Sequence, residues 1–394
     1  MTICPRSMNS LSSTSENLTV SEELAGGRLT IDLGAIADNW RKLNAMTPDA
    51  ECAAVVKANA YGLGISRVVP TLWRAGCRIF FVALPEEGIA VRKAAPEATI
   101  YILCGFLPDA AKTYLNHQLR PVLSARADEW LAIGRATNAP YAVQLETGMN
   151  RLGMDVADYA AFMESADYPP SLQISHLACA DTPKHALNQH QRQNFDSAVK
   201  LAPQIPKSLA NSAGIFLSAD YHHDLVRPGI ALYGGASAET HLAQNPMKPV
   251  VRVESRILQI KFVPVGQTIG YGAHETVLPT DGHFRITATL ACGYADGYLR
   301  SCSSSDSAKG GFAAWRGQKV PLIGRVSMDL ISVDMTDHPK LNDLRDQSWK
   351  DEWIELIGPT ITLDEVASAA GTIGYELLTG LGQRFHKIYI NDNN

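Results

Sequence analysis

Between residues 28 and about 235, short apolar runs recur, each ending in a polar or glycine-bearing segment. They fall at 53–57, 79–84, 100–104, 121–124, 141–146, 172–177, 208–211 and 225–233. Stretches with helical spacing lie between them. One is 65–75, with Gly76 placed to stop it. Strands alternating with helices predict βα units and a parallel sheet. Eight such units in about 200 residues predict a closed (β/α)8 barrel, an α/β fold of the TIM type. An open doubly wound sheet is the rival topology.

The pattern changes after Pro249. From Phe284 to Leu290 apolar and polar residues alternate, as do Ile331, Val333 and Met335 with Ser332 and Asp334. This is the period of half-buried strands. Residues 301–312 are rich in Ser and Gly and predict a loop. Thr362 and Glu365 have capping-box spacing, and their helix is expected to stop near Gly371. The expected organisation is therefore a disordered or loosely attached extension at 1–27, a barrel at 28–248 and a mainly β domain at 249–394.

Composition narrows the classes. The 394 residues are 46% hydrophobic and 19% charged, with a net charge of −5. That is enough apolar chain for a large core, and it lacks the basic excess of a nucleic-acid binder. Seven cysteines are scattered with no CxxC pair, which disfavours a zinc site and predicts reduced thiols and a cytoplasmic location. The Ser/Thr/Glu-rich start lacks the apolar core of a secretory signal. No run approaches the ~18 apolar residues of a membrane span.

A barrel gathers its chemistry at the C-terminal ends of its strands. The first run ends at Lys57, the fifth leads to Arg151, the sixth reaches His176, the seventh reaches Ser212 and Gly214, and the eighth carries Arg227 and Gly229. A desolvated Lys57 would hold more neutral amine for carbonyl chemistry. The plainer alternative is a rim lysine reaching for water. Glycine-bearing loops after strands seven and eight are where barrels hold phosphate, although glycine also serves any tight turn. His176 has a core role as its alternative, and Arg227 and Arg151 could be surface residues.

Taken together these segments resemble the alanine racemase family, from Arg28 to about Ile390. Val55-Val56-Lys57-Ala58-Asn59-Ala60-Tyr61-Gly62 is similar to the family's cofactor-lysine motif. Segments around 147–153, 175–178, 211–214 and 227–234 match in order. So do Gly270-Tyr271-Gly272, Gly293-Tyr294-Ala295-Asp296-Gly297, Gly324-Arg325-Val326-Ser327-Met328-Asp329 and Gly374-Tyr375-Glu376. The resemblance implies an isomerase that uses pyridoxal 5'-phosphate (PLP) to interconvert L- and D-alanine. Lys57 would carry PLP. Tyr61, Ser212, Gly229, Ile230 and Tyr375 would surround its phosphate, Arg227 would face its ring nitrogen, and Arg151 would reach its phenolic oxygen. Tyr271 of the partner subunit would be the second acid/base, joined through His176 to Arg227. Arg300, Met328 and Asp329 would shape the substrate site, with Arg151. A homodimer is implied, with sites shared between subunits, and D-alanine supply for peptidoglycan precursors or alanine catabolism as the role.

One residue departs from the pattern. Many relatives have a carbamylated lysine seven residues before the arginine matching Arg151, and here that position is Gln144. A neutral amide can accept a hydrogen bond from Arg151 but brings no charge, so no carbamate is expected. The rivals are a broader amino-acid racemase acting, for example, on serine, and a non-catalytic PLP-binding protein. A PLP decarboxylase is disfavoured because such enzymes face the ring nitrogen with a carboxylate.

Overall fold

The computed structural model describes residues 20–279, 282–340 and 348–392. Eight short strands run in parallel: Glu51–Cys52 continued by Ala54–Val55, then Ile79–Val82, Thr99–Ile102, Leu119–Leu123, Ala142–Gln144, Leu172–Ile174, Lys207–Ser208 and Leu225–Val226. From Ala54–Val55 to Lys207–Ser208 they form one continuous parallel sheet. The eighth closes the ring. It pairs in parallel with Glu51–Cys52, and a bridge between Asn211 and Arg227 joins it to the seventh. Arg227 N–H donates to Ala210 O at 3.0 Å, and Val55 N–H donates to Pro228 O at 2.9 Å. The strands are almost wholly buried, which explains why they read as continuous apolar runs.

The helix Ile65–Ala75 has the predicted bounds, with Gly76 at φ +117° closing it. After the eighth strand comes only the short 3-10 turn Ile230–Tyr233. The helix Leu33–Met46, which precedes the first barrel strand, covers that gap. Its Asn39 donates to Leu232 O at 3.1 Å and Lys248 O at 2.9 Å, and accepts from Lys248 N–H at 2.8 Å.

The C-terminal third is built on the long strand Val251–Pro264, which pairs antiparallel with Phe284–Leu290 and Trp353–Ile357. Ile331–Asp334 adds to Phe284–Leu290. The strand Gly27–Asp32 also lies in this sheet, antiparallel to Val251–Pro264 and parallel to His386–Ile390. Arg28, where the pattern begins its barrel segment, is thus a residue of the β sheet. Of the extension expected at 1–27, residues 1–19 lie outside the described residues. The stretch 20–26 is held on the sheet rather than hanging free: Arg256 donates to Glu22 O at 2.8 Å and Ala25 O at 3.0 Å.

The helix Leu363–Ala369 begins at the expected cap. Thr362 Oγ1 accepts from Glu365 N–H at 3.1 Å, and Gly371 sits at φ +70°. The Glu365 carboxylate turns to Lys319 at 2.5 Å, so only half of the capping box forms. Among the described residues no helix is long and apolar enough to cross a membrane.

Candidate active site

Lys57 stands where the first barrel strand ends and opens a short turn with an unusual backbone. Ala58, Asn59, Ala60 and Tyr61 all lie in the left-handed region, at φ +52° to +55°. Left-handed backbone costs a non-glycine residue roughly 1–2 kcal/mol, so this turn persists only because its surroundings fix it. Asn59 Oδ1 accepts from Ile65 N–H at 2.9 Å. From the C-terminal strand, Lys387 donates to Gly62 O at 3.2 Å and Tyr389 to Leu63 O at 2.9 Å. The turn leaves Lys57 at the mouth and swings Tyr61 inward, where it is 5% exposed.

Tyr61 packs on Tyr233, with ring centroids 4.5 Å apart, and faces Tyr375 at 6.0 Å. A Cβ on Gly229 would lie 2.3 Å from the Tyr61 hydroxyl, so only glycine admits that ring. Ser212 Oγ accepts from Gly229 N–H at 2.8 Å and Ala231 N–H at 3.3 Å, leaving its own proton to donate. Asn211 Oδ1 orders the same loop by accepting from Gly214 N–H at 2.9 Å. Hydroxyls and tight glycine turns from strands one, seven and eight thus converge in the way a phosphate requires. Burial raises Tyr375 to about 12, helped by Asp181 and Asp364, so it stays a neutral donor.

Arg227 is 4% exposed and has no carboxylate partner among the described residues. Its guanidinium donates to Ser208 Oγ, to Ser175 O at 2.6 Å and to Leu209 O at 3.5 Å. Nε takes no acceptor among the described residues. Burial pushes its pKa down to about 10, so it remains a cation at neutral pH. His176 is pushed down to about 3, first by burial and then by Arg227, Arg151 and Lys57. Its ring is neutral and hydrogen-bonds nothing among the described residues. No bond joins it to Arg227, so within one chain their coupling is through charge alone. Lys57 is lowered by burial and by Arg151, with Glu87 opposing.

Arg151 is carried by a loop organised by Glu146, whose carboxylate accepts from Gly148 N–H, from Met149 N–H at 2.7 Å and from Asn150 N–H at 2.8 Å. Burial pushes that carboxyl up, but the backbone donors outweigh it and hold it below the usual range. Gln144 does not accept from Arg151 as expected. Its amide nitrogen donates to Leu152 O at 2.9 Å, because Met154 runs beside the strand and brings that carbonyl into reach. Sequence reasoning missed Glu146, Tyr233 and Glu87. A carboxylate ahead of a glycine turn was the available signal for the first.

The mouth contains a cavity of about 340 Å³ lined by His176, Asn211, Ala213 and Tyr375. A cleft of about 480 Å³ is lined by Lys57, Tyr61 and Tyr375. Tyr375 divides the two. Neither is lined by Tyr271, Arg300, Met328 or Asp329. Those four lie instead on loops of the β domain. Val326 N–H donates to Ser303 Oγ at 2.9 Å, Ala295 N–H donates to Met328 O at 3.0 Å, and His274 contacts Arg325. Arg384 pins the loops with a two-pronged bond to Asp296 at 2.7 and 2.8 Å and a third to Asp329 at 2.8 Å. Tyr271 is 72% exposed and Met328 54%. One chain therefore brings together Lys57, Tyr61, Ser212, Gly229 and Tyr375, and leaves Tyr271 on an open face.

The chain matches the family model for the alanine racemase N-terminal domain over residues 31–237 and that for the C-terminal domain over 250–389. It is 44% identical to alanine racemase from Rhizobium meliloti (strain 1021), over 93% of this chain and 97% of that one. It is also 44% identical to the biosynthetic alanine racemase of Agrobacterium fabrum, over 95% and 96%. A crystal structure of alanine racemase from Bartonella henselae with covalently bound pyridoxal phosphate superposes with a TM-score of 0.84 and 36% identity, covering 93% of this chain and all of that one.

The cradle makes a direct prediction. Gly229→Ala forces the Tyr61 ring away, and the affinity for pyridoxal phosphate is expected to fall at least about tenfold, or about 1.4 kcal/mol. Cofactor retention on dialysis, followed by absorbance, measures this. Unchanged retention would mean that Tyr61 and Gly229 do not hold the cofactor.

Proposed function

This chain belongs to the alanine racemase family and is a pyridoxal phosphate-dependent isomerase of alanine, and we propose that it works with two bases, Lys57 and Tyr271 of the partner subunit. The observation that carries this is the separation just described. Lys57 sits beside a formed cradle at the barrel mouth, while Tyr271, Arg300 and Met328 project from a face their own chain leaves open. A homodimer that sets each β domain over the other barrel completes both sites.

The residues present fit the cofactor. Tyr61, Ser212, Gly229, Ile230 and Tyr375 would hold the phosphate. Arg227 would meet the ring nitrogen with its unengaged Nε, and Arg151 would meet the phenolic oxygen. Bound to Lys57, pyridoxal phosphate supplies the electron sink that acidifies the proton on Cα. Arg227 does not surrender its proton to a pyridine-type nitrogen, since its pKa stays far above that base. It thereby limits how much charge is drawn from Cα and favours prompt reprotonation over transamination.

Racemisation removes a proton from one face of Cα and returns one to the other, and a single base cannot easily reach both. Lys57 serves the D-isomer face, where its lowered pKa leaves more neutral amine. Tyr271 serves the L-isomer face. A tyrosine of pKa ~10 is a weak base without help. His176, neutral and with no ring hydrogen bond among the described residues, would hydrogen-bond Tyr271, with Arg227 acting on it through charge. The Met328 backbone and Arg151 would take the substrate carboxylate, with Arg300 and Asp329 shaping the pocket. All six described cysteines are unpaired, which supports a reducing cytoplasmic setting, and D-alanine would there feed peptidoglycan precursors.

Three measurements test this. Purified enzyme given L-alanine is expected to lose optical activity, and no change despite bound cofactor would sink the racemase reading. In Tyr271→Phe, exchange of the Cα hydrogen with D2O should drop about 10²–10⁴-fold for L-alanine and persist for D-alanine. The reverse pattern would exchange the two faces. Added bicarbonate should leave activity unchanged, because Gln144 cannot form a carbamate, and a rise on its addition would contradict that role.

A further inference from the structure

We propose that Glu87 is a positioning residue for Lys57, gripping the left-handed turn behind it and supplying the local counter-charge for its amine. The inference rests on Lys57 being cofactor anchor and base. Glu87 lies in the first turn of the helix Pro85–Ala94, just after the second barrel strand. Its Oε2 accepts from Ala83 N–H at 2.9 Å and Leu84 N–H at 3.1 Å. Its Oε1 accepts from Asn59 N–H at 3.3 Å. One carboxylate therefore ties the end of the second strand to the second residue after Lys57, inside the strained turn.

The other side-chain bonds on the turn join it to later parts of the chain. Asn59 reaches Ile65, and Lys387 and Tyr389 reach Gly62 and Leu63. Glu87, bonded to Asn59 in this turn, is also the acid whose charge bears on Lys57. Other groups face the lysine. Arg151 acts against its proton, and His176 is neutral. Tyr61, Tyr375 and Glu376 line the same cleft, and Glu376 is engaged by the Thr372 hydroxyl. Cys104 lies near Glu87 itself. Burial and Arg151 both weaken the hold of Lys57 on a proton, and Glu87 opposes them. A base must keep enough affinity to take a proton from carbon, so the carboxylate sets how far the depression goes. A helix N-terminus suits a negative charge there.

The test compares Glu87→Gln, which keeps size and a carbonyl acceptor, with Glu87→Asp, which keeps the charge. In cofactor-free protein, acetylation of Lys57 by acetic anhydride is followed by mass spectrometry against pH. In loaded enzyme, D2O exchange from D-alanine is followed against pH. For Glu87→Gln, with circular dichroism unchanged, the labelling midpoint and the acid limb of D-alanine exchange should both move down by about one pH unit. Glu87→Asp should stay near the parent. A midpoint unmoved in Glu87→Gln overturns the inference, as does an equal drop in both variants or a neutral variant that fails to fold. Borohydride reduction of the loaded parent separates the two layers of argument. Cofactor fixed on another lysine would refute the Lys57 reading itself. Cofactor on Lys57 with an unmoved midpoint would refute only the role of Glu87.

Discussion

Closure of the barrel is the constraint on which the site depends. Lys57 follows the first strand and Gly229 the last, so they are far apart in sequence. They become neighbours because Leu225–Val226 pairs with Glu51–Cys52. That pairing brings Tyr61 beneath Gly229 and lets Ser212, from the seventh strand, accept the Gly229 amide. The fit tolerates no side chain at Gly229 and no relaxation of the turn that delivers Tyr61.

Charge at the mouth follows from the same geometry. Arg227, Arg151 and Lys57 all bear on His176, and among the described residues no carboxylate pairs with the buried Arg227. Burying an unpaired cation is costly. Here three oxygens of the barrel strands solvate it, and an anionic cofactor suits the remaining field. Burial, and then this positive charge, keeps His176 neutral, the state in which it both donates and accepts. Glu87 and Glu146 lie at the edges, one accepting from Asn59 N–H in the turn after Lys57 and the other from backbone amides of the loop that carries Arg151.

The β domain supports the barrel in two ways. Its helix Gly374–Gly380 brings Tyr375 to the mouth, and its last strand holds the turn after Lys57. Its own loops, clamped by Arg384, line neither cavity at that mouth. The domain therefore completes one mouth from within and leaves Tyr271 exposed.

Much of this was legible in the sequence. The eight apolar runs mark eight strands because buried parallel strands must be apolar on both faces, and Gly76 and Thr362 mark helix ends through local backbone chemistry. The order of Lys57, Arg151, His176, Ser212 and Arg227 at strand ends also follows from reading each run to its polar end. The tertiary structure alone decided the rest. Gly27–Asp32 joined the β sheet, Gln144 turned to Leu152, Tyr233 came to lie against Tyr61, and Glu87 reached Asn59. Each of these depends on a partner fixed by ring closure or cross-domain packing. Residue spacing records local periodicity, whereas hydrogen bonds and fields depend on distances that exist only once the chain has folded.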